Sequence, residues 1–313
     1  MTKDKRDKAA ITAAKLYYVS NYSQHDIAGE MKISRPSVSR LLQYAREMGF
    51  VRIEIYDPVA DQSNLEQQLV RKFSLRDACV ANAPLADEEE VKKYIGQRAA
   101  LYLDEIVKDG DIIGVGWGTT MYSLARSLLP KSLRGTQIVQ LEGGITLSSG
   151  DTYANEILDL FAKNYDTIAK YLPLPVLFDS PAVKDLVYQD RHIKRVLELG
   201  NSADITLFSV GTVRDSALLF RLGYADEKER KFLQQHAVGD ICSRFFCKDG
   251  KITSQELNDR TVGIDLEQLR RKKYSILLSG GSAKLNPICA ALQYGYANVL
   301  ITDQFTAEAL LSM

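Results

Sequence analysis

The apolar residues of this chain follow different rhythms in its two parts. From residue 77 onward, short apolar runs alternate with longer amphipathic segments. The runs ACVAN, DIIGVGW, QIVQLEG, ADITLFSVG, YSILLSGG and ANVLITD are bounded by turn residues and predict strands. Between them EEEVKKYIGQRAALYLDEIV, RHIKRVLELGN and NPICAALQYG predict helices. Regular alternation of the two predicts an α/β fold, a mostly parallel, Rossmann-like sheet with helices on both faces.

The first sixty residues carry helical spacing instead. Across 8–18, Ile11, Ala14, Tyr17 and Tyr18 fall on one side of a first helix. After a break at Asn21-Tyr22-Ser23, Ser23 can cap a second helix in which Ile27, Ala28 and Met31 face inward. A very short turn at Lys32-Ile33 leads to a third helix. There Ser34 is the cap, and Pro36 lies in the first turn, where a missing N–H costs little. This helix turns Val38, Leu41, Leu42 and Ala45 inward and leaves Arg35, Ser37, Ser39, Arg40, Gln43 and Arg46 outside. Gly49 ends it as a C-cap, and VRIEIYD alternates as a strand.

Helix, tight turn and a helix rich in Arg, Ser and Gln make a helix-turn-helix suited to a DNA major groove. Arginine can pair with guanine O6/N7, while Ser and Gln reach bases or phosphates. Ser34, Arg35, Ser37, Ser39, Arg40 and Gln43 are the candidate contacts to double-stranded DNA. A plain three-helix bundle with a solvated face shares the apolar stripe. The coincidence of cap, tight turn and paired arginines favours DNA. Asp57-Pro58 closes this domain at 1–57. Within 58–75, DQSNLEQQLVRKF forms a linker helix with Leu65, Leu69 and Phe73 on one stripe, suited either to dimerisation or to packing on the large domain, 76–313.

Charge sharpens this only slightly. Lys+Arg and Asp+Glu both total 40, yet residues 1–57 hold ten basic and seven acidic side chains, a sign that suits DNA. No segment approaches the roughly 18–20 apolar residues of a membrane span, and MTKDKRDKAA lacks the apolar core of a signal peptide. A cytoplasmic protein without a membrane partner is expected. Four cysteines without C-x-x-C spacing predict reduced thiols rather than zinc, and the three histidines lie too far apart for a local metal motif. No metal or cofactor is expected.

In parallel sheets, ligands bind beyond the carboxyl ends of the strands, and three glycine turns occupy such positions. Gly114-Val115-Gly116-Trp117-Gly118-Thr119-Thr120 leaves a strand and opens a helix, combining close backbone approach, free N–H groups and two hydroxyls into a phosphate cradle. Glu142-Gly143-Gly144 follows QIVQL, and Gly280-Gly281-Ser282-Ala283-Lys284 adds an ammonium. None is a Walker loop, and the first matches G-x-G-x-x-G only in part. Glycines after strands often serve only tight turns, but three in one sheet favour an anionic small molecule. Trp117 can wall the pocket or belong to the core. Tyr171-Leu172-Pro173-Leu174-Pro175 suits packing or subunit contact.

With these residues in view, the chain resembles the SorC family of sugar-responsive bacterial regulators over nearly its whole length. The likeness rests on YSQHDIAGEMKISRPSVSRLLQYA, GWGTTMY, VQLEGG, YLPLP, GTVRDSALLFRLGY, AVGDICSRFF and LSGGSAK. The resemblance implies an effector domain similar to ribose-5-phosphate isomerase and glucosamine-6-phosphate deaminase but without enzymatic activity. It implies phosphate near Gly118, Thr119, Thr120 and Lys284, with Gly143, Gly144 and Asp240 near the sugar. It also implies dimers or tetramers on palindromic operators. Relatives of this type can carry, just before Gly-Gly, a lysine able to form an imine with an open-chain sugar or an arginine for a second phosphate. Here stands Glu142, which can only exchange hydrogen bonds. A non-covalently held, singly phosphorylated sugar follows, with deoxyribose 5-phosphate the leading candidate. The competing reading, a sugar-phosphate isomerase or deaminase with Asp240 or Glu142 as general base, leaves a helix-turn-helix without a use.

Overall fold

The structure, a computed structural model, describes residues 3–51, 53, 62–145, 152–223 and 225–313. The chain divides into two compact units, Met1–Val59 and Ala60–Met313. Most of the alternating run 51–57, and the Asp57-Pro58 boundary, lie outside the described residues.

The small unit is built from α1 (Lys3–Ala14), a π-helical turn at Lys15–Val19, α2 (Gln24–Glu30) and α3 (Arg35–Glu47). Ser23 and Asp26 form a reciprocal capping box on α2, and the Ser34 hydroxyl accepts the Ser37 N–H at the start of α3. Val38, Leu41, Leu42 and Ala45 are the buried residues of α3, as their spacing predicts. Met48 closes this helix, and Gly49 follows it at φ +72°.

The first helix departs from expectation. It starts at Lys3 and buries Ala10, Ala13 and Ala14, while Ile11 and Tyr17 are 36% and 37% exposed. Alanines let α1 approach α3 closely, and the wide π turn advances the helical phase, so Tyr17 swings outward.

In the large unit α4 (Gln62–Phe73) buries Leu69 and Phe73 in the core shared with the C-terminal helix Gln304–Ser312. Lys72 Nζ donates to the Leu310 and Leu311 carbonyls at 3.0 and 3.1 Å, and Glu66 accepts the Val80 N–H at 2.8 Å. The strands are β1 (Asp77–Ala81), β2 (Ile112–Val115), β3 (Gln137–Gln140), β4 (Ala169–Lys170), β5 (Ile205–Phe208), β6 (Gly239–Ile241), β7 (Arg244–Phe246), β8 (Tyr274–Leu278) and β9 (Val299–Asp303). Seven of them form a parallel sheet in the order β1-β9-β8-β5-β2-β3-β4. The other two, β6 and β7, make an antiparallel hairpin whose two-residue turn holds Cys242 and Ser243 at φ +47° and +65°.

The helices α5 (Glu88–Ile106), α6 (Thr119–Ser127) and α7 (Ala154–Asn164) cover one sheet face. The other face carries α4 with the helices Leu285–Gln293 and Gln304–Ser312. The chain runs outward from β2 through β3 to β4, returns to β5, and then runs the other way through β8 to β9. The carboxyl ends of β2 and β5 therefore flank the point where strand order reverses, the position at which such sheets open a binding crevice.

Candidate functional site

The first glycine loop lies at that reversal. Gly116 N–H donates to the Leu207 carbonyl of β5 at 2.9 Å. Gly118, at φ +113°, precedes α6 and provides no side-chain cap, so the first turn of the helix keeps N–H groups for a ligand. Thr119 is exposed there and Thr120 is buried. Trp117 is half-buried and donates its indole N–H to the Gly143 carbonyl at 2.8 Å, tying the first loop to the second.

That second loop is held in shape from beneath. The Gln140 amide donates to the Glu142 carbonyl at 2.7 Å and accepts the Leu172 N–H at 3.0 Å. A Cβ on Gly143 would come within 2.0 Å of the Pro175 carbonyl oxygen, and Gly144 N–H donates to the Leu174 carbonyl at 3.0 Å. The Leu-Pro-Leu-Pro segment is thus the backbone wall on which Glu-Gly-Gly is pressed.

Glu142 is 4% exposed and accepts the Ser243 hydroxyl at 2.7 Å. Burial pushes its carboxyl up from the ordinary 4.5 to about 8, and the nearby Asp240 charge pushes the same way against the Ser243 hydrogen bond. Burial likewise raises Asp240 to about 7, against the pull of the Lys284 ammonium. Asp240 lies against Gly211, where a Cβ would sit 1.9 Å from Oδ1. Burial lowers Lys284 to about 8, and repulsion from Lys92 adds to this. Among the described residues the Lys284 ammonium has neither a hydrogen bond nor an ion pair within 4.0 Å. Gly281, at φ +94°, donates its N–H to Thr306 Oγ1 at 2.8 Å, and Thr306 in turn rests on Asp303.

Gly116, Trp117, Gly118, Thr119, Thr120, Glu142, Gly143, Gly144, Asp240, Gly281 and Lys284 accordingly share one end of the sheet. The loops offer N–H, hydroxyl and ammonium groups to an anion beside two carboxyls that can exchange hydrogen bonds with hydroxyls. Sequence reasoning did not find Ser243, Gln140 or Gly211. Ser243 lies within the run AVGDICSRFF, but nothing in its local pattern gave it a role, and it arrives from a hairpin one hundred and one positions beyond Glu142. Among the described residues no group of three or more His, Cys, Asp or Glu could hold a metal. A cleft of about 460 Å³, lined in part by Gln140, Tyr188, Lys194, Glu198 and Asp265, includes none of the glycine-loop residues, Asp240 or Lys284.

In the small unit, Ser34, Arg35, Ser39, Arg40 and Gln43 are exposed on α3 and Ser37 is partly so. The Ser34 and Ser37 hydroxyls lie 2.9 Å apart, Arg40 Nη2 is 3.4 Å from Ser37 Oγ, and Gln43 donates to Glu47 at 2.9 Å. The turn before the helix is as tight as the sequence implies, with Lys32 in the left-handed region at φ +53°.

Residues 57–312 match the family described as a sugar-binding domain. The chain is 51% identical over 307 residues to the deoxyribonucleoside regulator of Bacillus subtilis, covering 98% of each chain. It is 34% identical over 306 residues to the sorbitol operon regulator of Klebsiella pneumoniae, covering 96% of each. The crystal structure of the full-length sorbitol operon regulator SorC from that organism superposes with a TM-score of 0.73 at 33% identity, covering 99% of this chain and all of the other. A DeoR family transcriptional regulator from Listeria monocytogenes gives 0.74 at 28% identity, covering 80% of this chain and all of that one. These relatives are transcriptional regulators rather than enzymes.

Proposed function

This chain belongs to the SorC family of sugar-responsive transcriptional regulators, and we propose that it represses a sugar or deoxyribonucleoside catabolic operon under the control of one phosphorylated sugar. In this reading α3 enters the major groove of operator DNA, with Arg35 and Arg40 toward base edges and Ser37, Ser39 and Gln43 toward bases or backbone. One such helix covers only a few base pairs, so a homodimer or tetramer on symmetric half-sites is the functional unit. Deoxyribose 5-phosphate is the leading effector, in keeping with the deoxyribonucleoside regulator named above.

The observation that carries the reading is the Lys284 ammonium, which among the described residues makes no hydrogen bond and no ion pair within 4.0 Å, at the same end of the sheet as the uncapped start of α6. A phosphate fits there, on N–H groups and an ammonium, and the sugar hydroxyls then face Glu142, Asp240 and Ser243. Glu142 cannot form an imine, so capture is non-covalent. Its carboxyl, raised to about 8, is largely neutral at pH 7 and does not repel the incoming anion. Effector binding shifts the DNA equilibrium only as far as it favours one conformation, typically ~1–3 kcal/mol.

A thermal-shift titration of the full chain with deoxyribose 5-phosphate and with deoxyribose tests this, since a bound ligand raises native stability by mass action. The phosphorylated sugar should raise the melting temperature and the free sugar should not. Lys284→Ala should abolish the shift while leaving operator affinity intact. Equal shifts from the two sugars, or an unimpaired response in the variant, would show that the pocket is misassigned.

A further inference from the structure

The first turns of α5 border the cradle, although none of their residues belongs to the glycine loops. As the links between β1 and β2 and between β2 and β3, α5 and α6 both run against the strands and hence parallel to each other. They meet where Gly96 faces Ser123, so closely that a Cβ on Gly96 would lie 2.6 Å from Ser123 Oγ. One turn earlier, on the flanks that the two helices turn toward each other, stand Lys92 on α5 and Thr119 on α6. Val91 and Ile95 press on the third loop from the adjoining side, since a Cβ on Gly280 would lie 2.9 Å from Val91 Cγ1 and 2.7 Å from Ile95 Cδ1. Lys92, next to Val91 and one turn before Gly96, therefore stands on the flank of α5 between its contact with the Gly280 loop and its contact with α6.

Its side chain is 13% exposed, with Nζ 2.8 Å from Glu88 and 2.9 Å from Glu89, whose side chains are 66% and 81% exposed. The start of α5 itself is closed to anions. Asp87 accepts the Glu89 and Glu90 N–H groups at 3.1 and 3.2 Å, and three glutamates occupy the first turn. Glu88 also faces Lys284, and Lys92 and Lys284 repel each other. Glu88 thus pairs directly with Lys92 and draws on Lys284 only from beyond ion-pair distance, with a second carboxylate on Lys92 standing largely in water.

We propose that Lys92 is a second cationic contact for the effector's phosphate and that Glu88 is the internal carboxylate which the phosphate displaces. The inference rests on the sugar-phosphate reading of the pocket. In the free protein Glu88 holds Lys92 and faces Lys284. A phosphate on the α6 N–H groups brings its charge between the two ammonium groups, and Glu88 moves out into solvent. Effector affinity is then set by exchange of one anion for another, so removing the internal competitor strengthens binding and removing Lys92 weakens it.

Calorimetry on the full chain with deoxyribose 5-phosphate, and separately with inorganic phosphate, tests this on the wild type and on Lys92→Gln, Lys92→Arg, Glu88→Gln and Lys284→Ala. Loss of a charge-assisted contact should weaken both probes about tenfold in Lys92→Gln, with most of the affinity kept in Lys92→Arg. Glu88→Gln should bind about threefold more tightly, a gain that a helix-stabilising role for the pair would not produce. Binding that falls in Lys284→Ala yet is unchanged in Lys92→Gln and Glu88→Gln overturns this inference and leaves the pocket assignment standing. Failure of the wild type to bind either probe overturns both.

Discussion

Replacing Glu142 by glutamine removes an ionisation that the fold resists while keeping an oxygen that can accept the Ser243 hydroxyl. Unfolded, the carboxyl titrates near its ordinary 4.5, and folded it titrates at about 8. Between these values the native state binds the extra proton, so its stability falls as pH rises through the window and is flat on either side. At about 1.4 kcal/mol per pH unit the ceiling is about 5 kcal/mol. Asp240, itself raised to about 7, shares the local field. Relaxation around such a coupled pair brings the realistic gain to roughly 2–3 kcal/mol. Glu142→Gln should match the parent at pH 5 and exceed it by that amount at pH 9. The protein has one tryptophan, and Trp117 is hydrogen-bonded to the carbonyl of the residue after Glu142. Urea unfolding followed by its fluorescence therefore reports on the right loop. A stability difference that stays constant from pH 5 to pH 9 would refute the burial argument.

Two further substitutions probe separate parts of the molecule. Arg244 is 3% exposed and donates to the Ile264, Asn258 and Gly263 carbonyls at 2.8, 3.0 and 3.0 Å while pairing with Asp265 at 3.0 Å. Arg244→Met should cost about 3–5 kcal/mol in urea unfolding, because those acceptors lose their donor at once; a cost below 1 kcal/mol would mean that water replaces it freely. Arg40→Ala should weaken operator binding by about 1–3 kcal/mol in a titration at fixed salt if it reads a guanine. Unchanged affinity there and in Arg35→Ala would remove both from base reading.

Much of this architecture is legible locally. The inward positions of α3 follow from helical spacing, and the six strand runs all become strands because short, predominantly apolar segments between turns have little alternative. By contrast, β4, β6 and β7 hold two or three residues each, too few for any period to register. The first helix misleads because large aromatics look more buried than alanines, whereas close helix contact favours the alanines. The glycine loops announce themselves through composition. Glu142 meeting Ser243, Asp240 leaning on Gly211 and Gly96 meeting Ser123 come from chain crossings that no local pattern encodes. Lys92 sits in an acidic, amphipathic first turn that resembles any solvated helix start.

The hairpin tip bears on how this protein could be engineered. A two-residue turn with both residues in the left-handed region favours Asn-Gly, yet Cys242 and Ser243 occupy it. A designer seeking heat resistance would exchange them and relieve backbone strain of order 1–3 kcal/mol each. The same exchange deletes the hydroxyl that Ser243 gives to Glu142, so under the proposed reading of the pocket resilience would be won at the expense of responsiveness. Variants selected only for surviving heat should accumulate changes at this tip and drift toward regulators that no longer hear their signal.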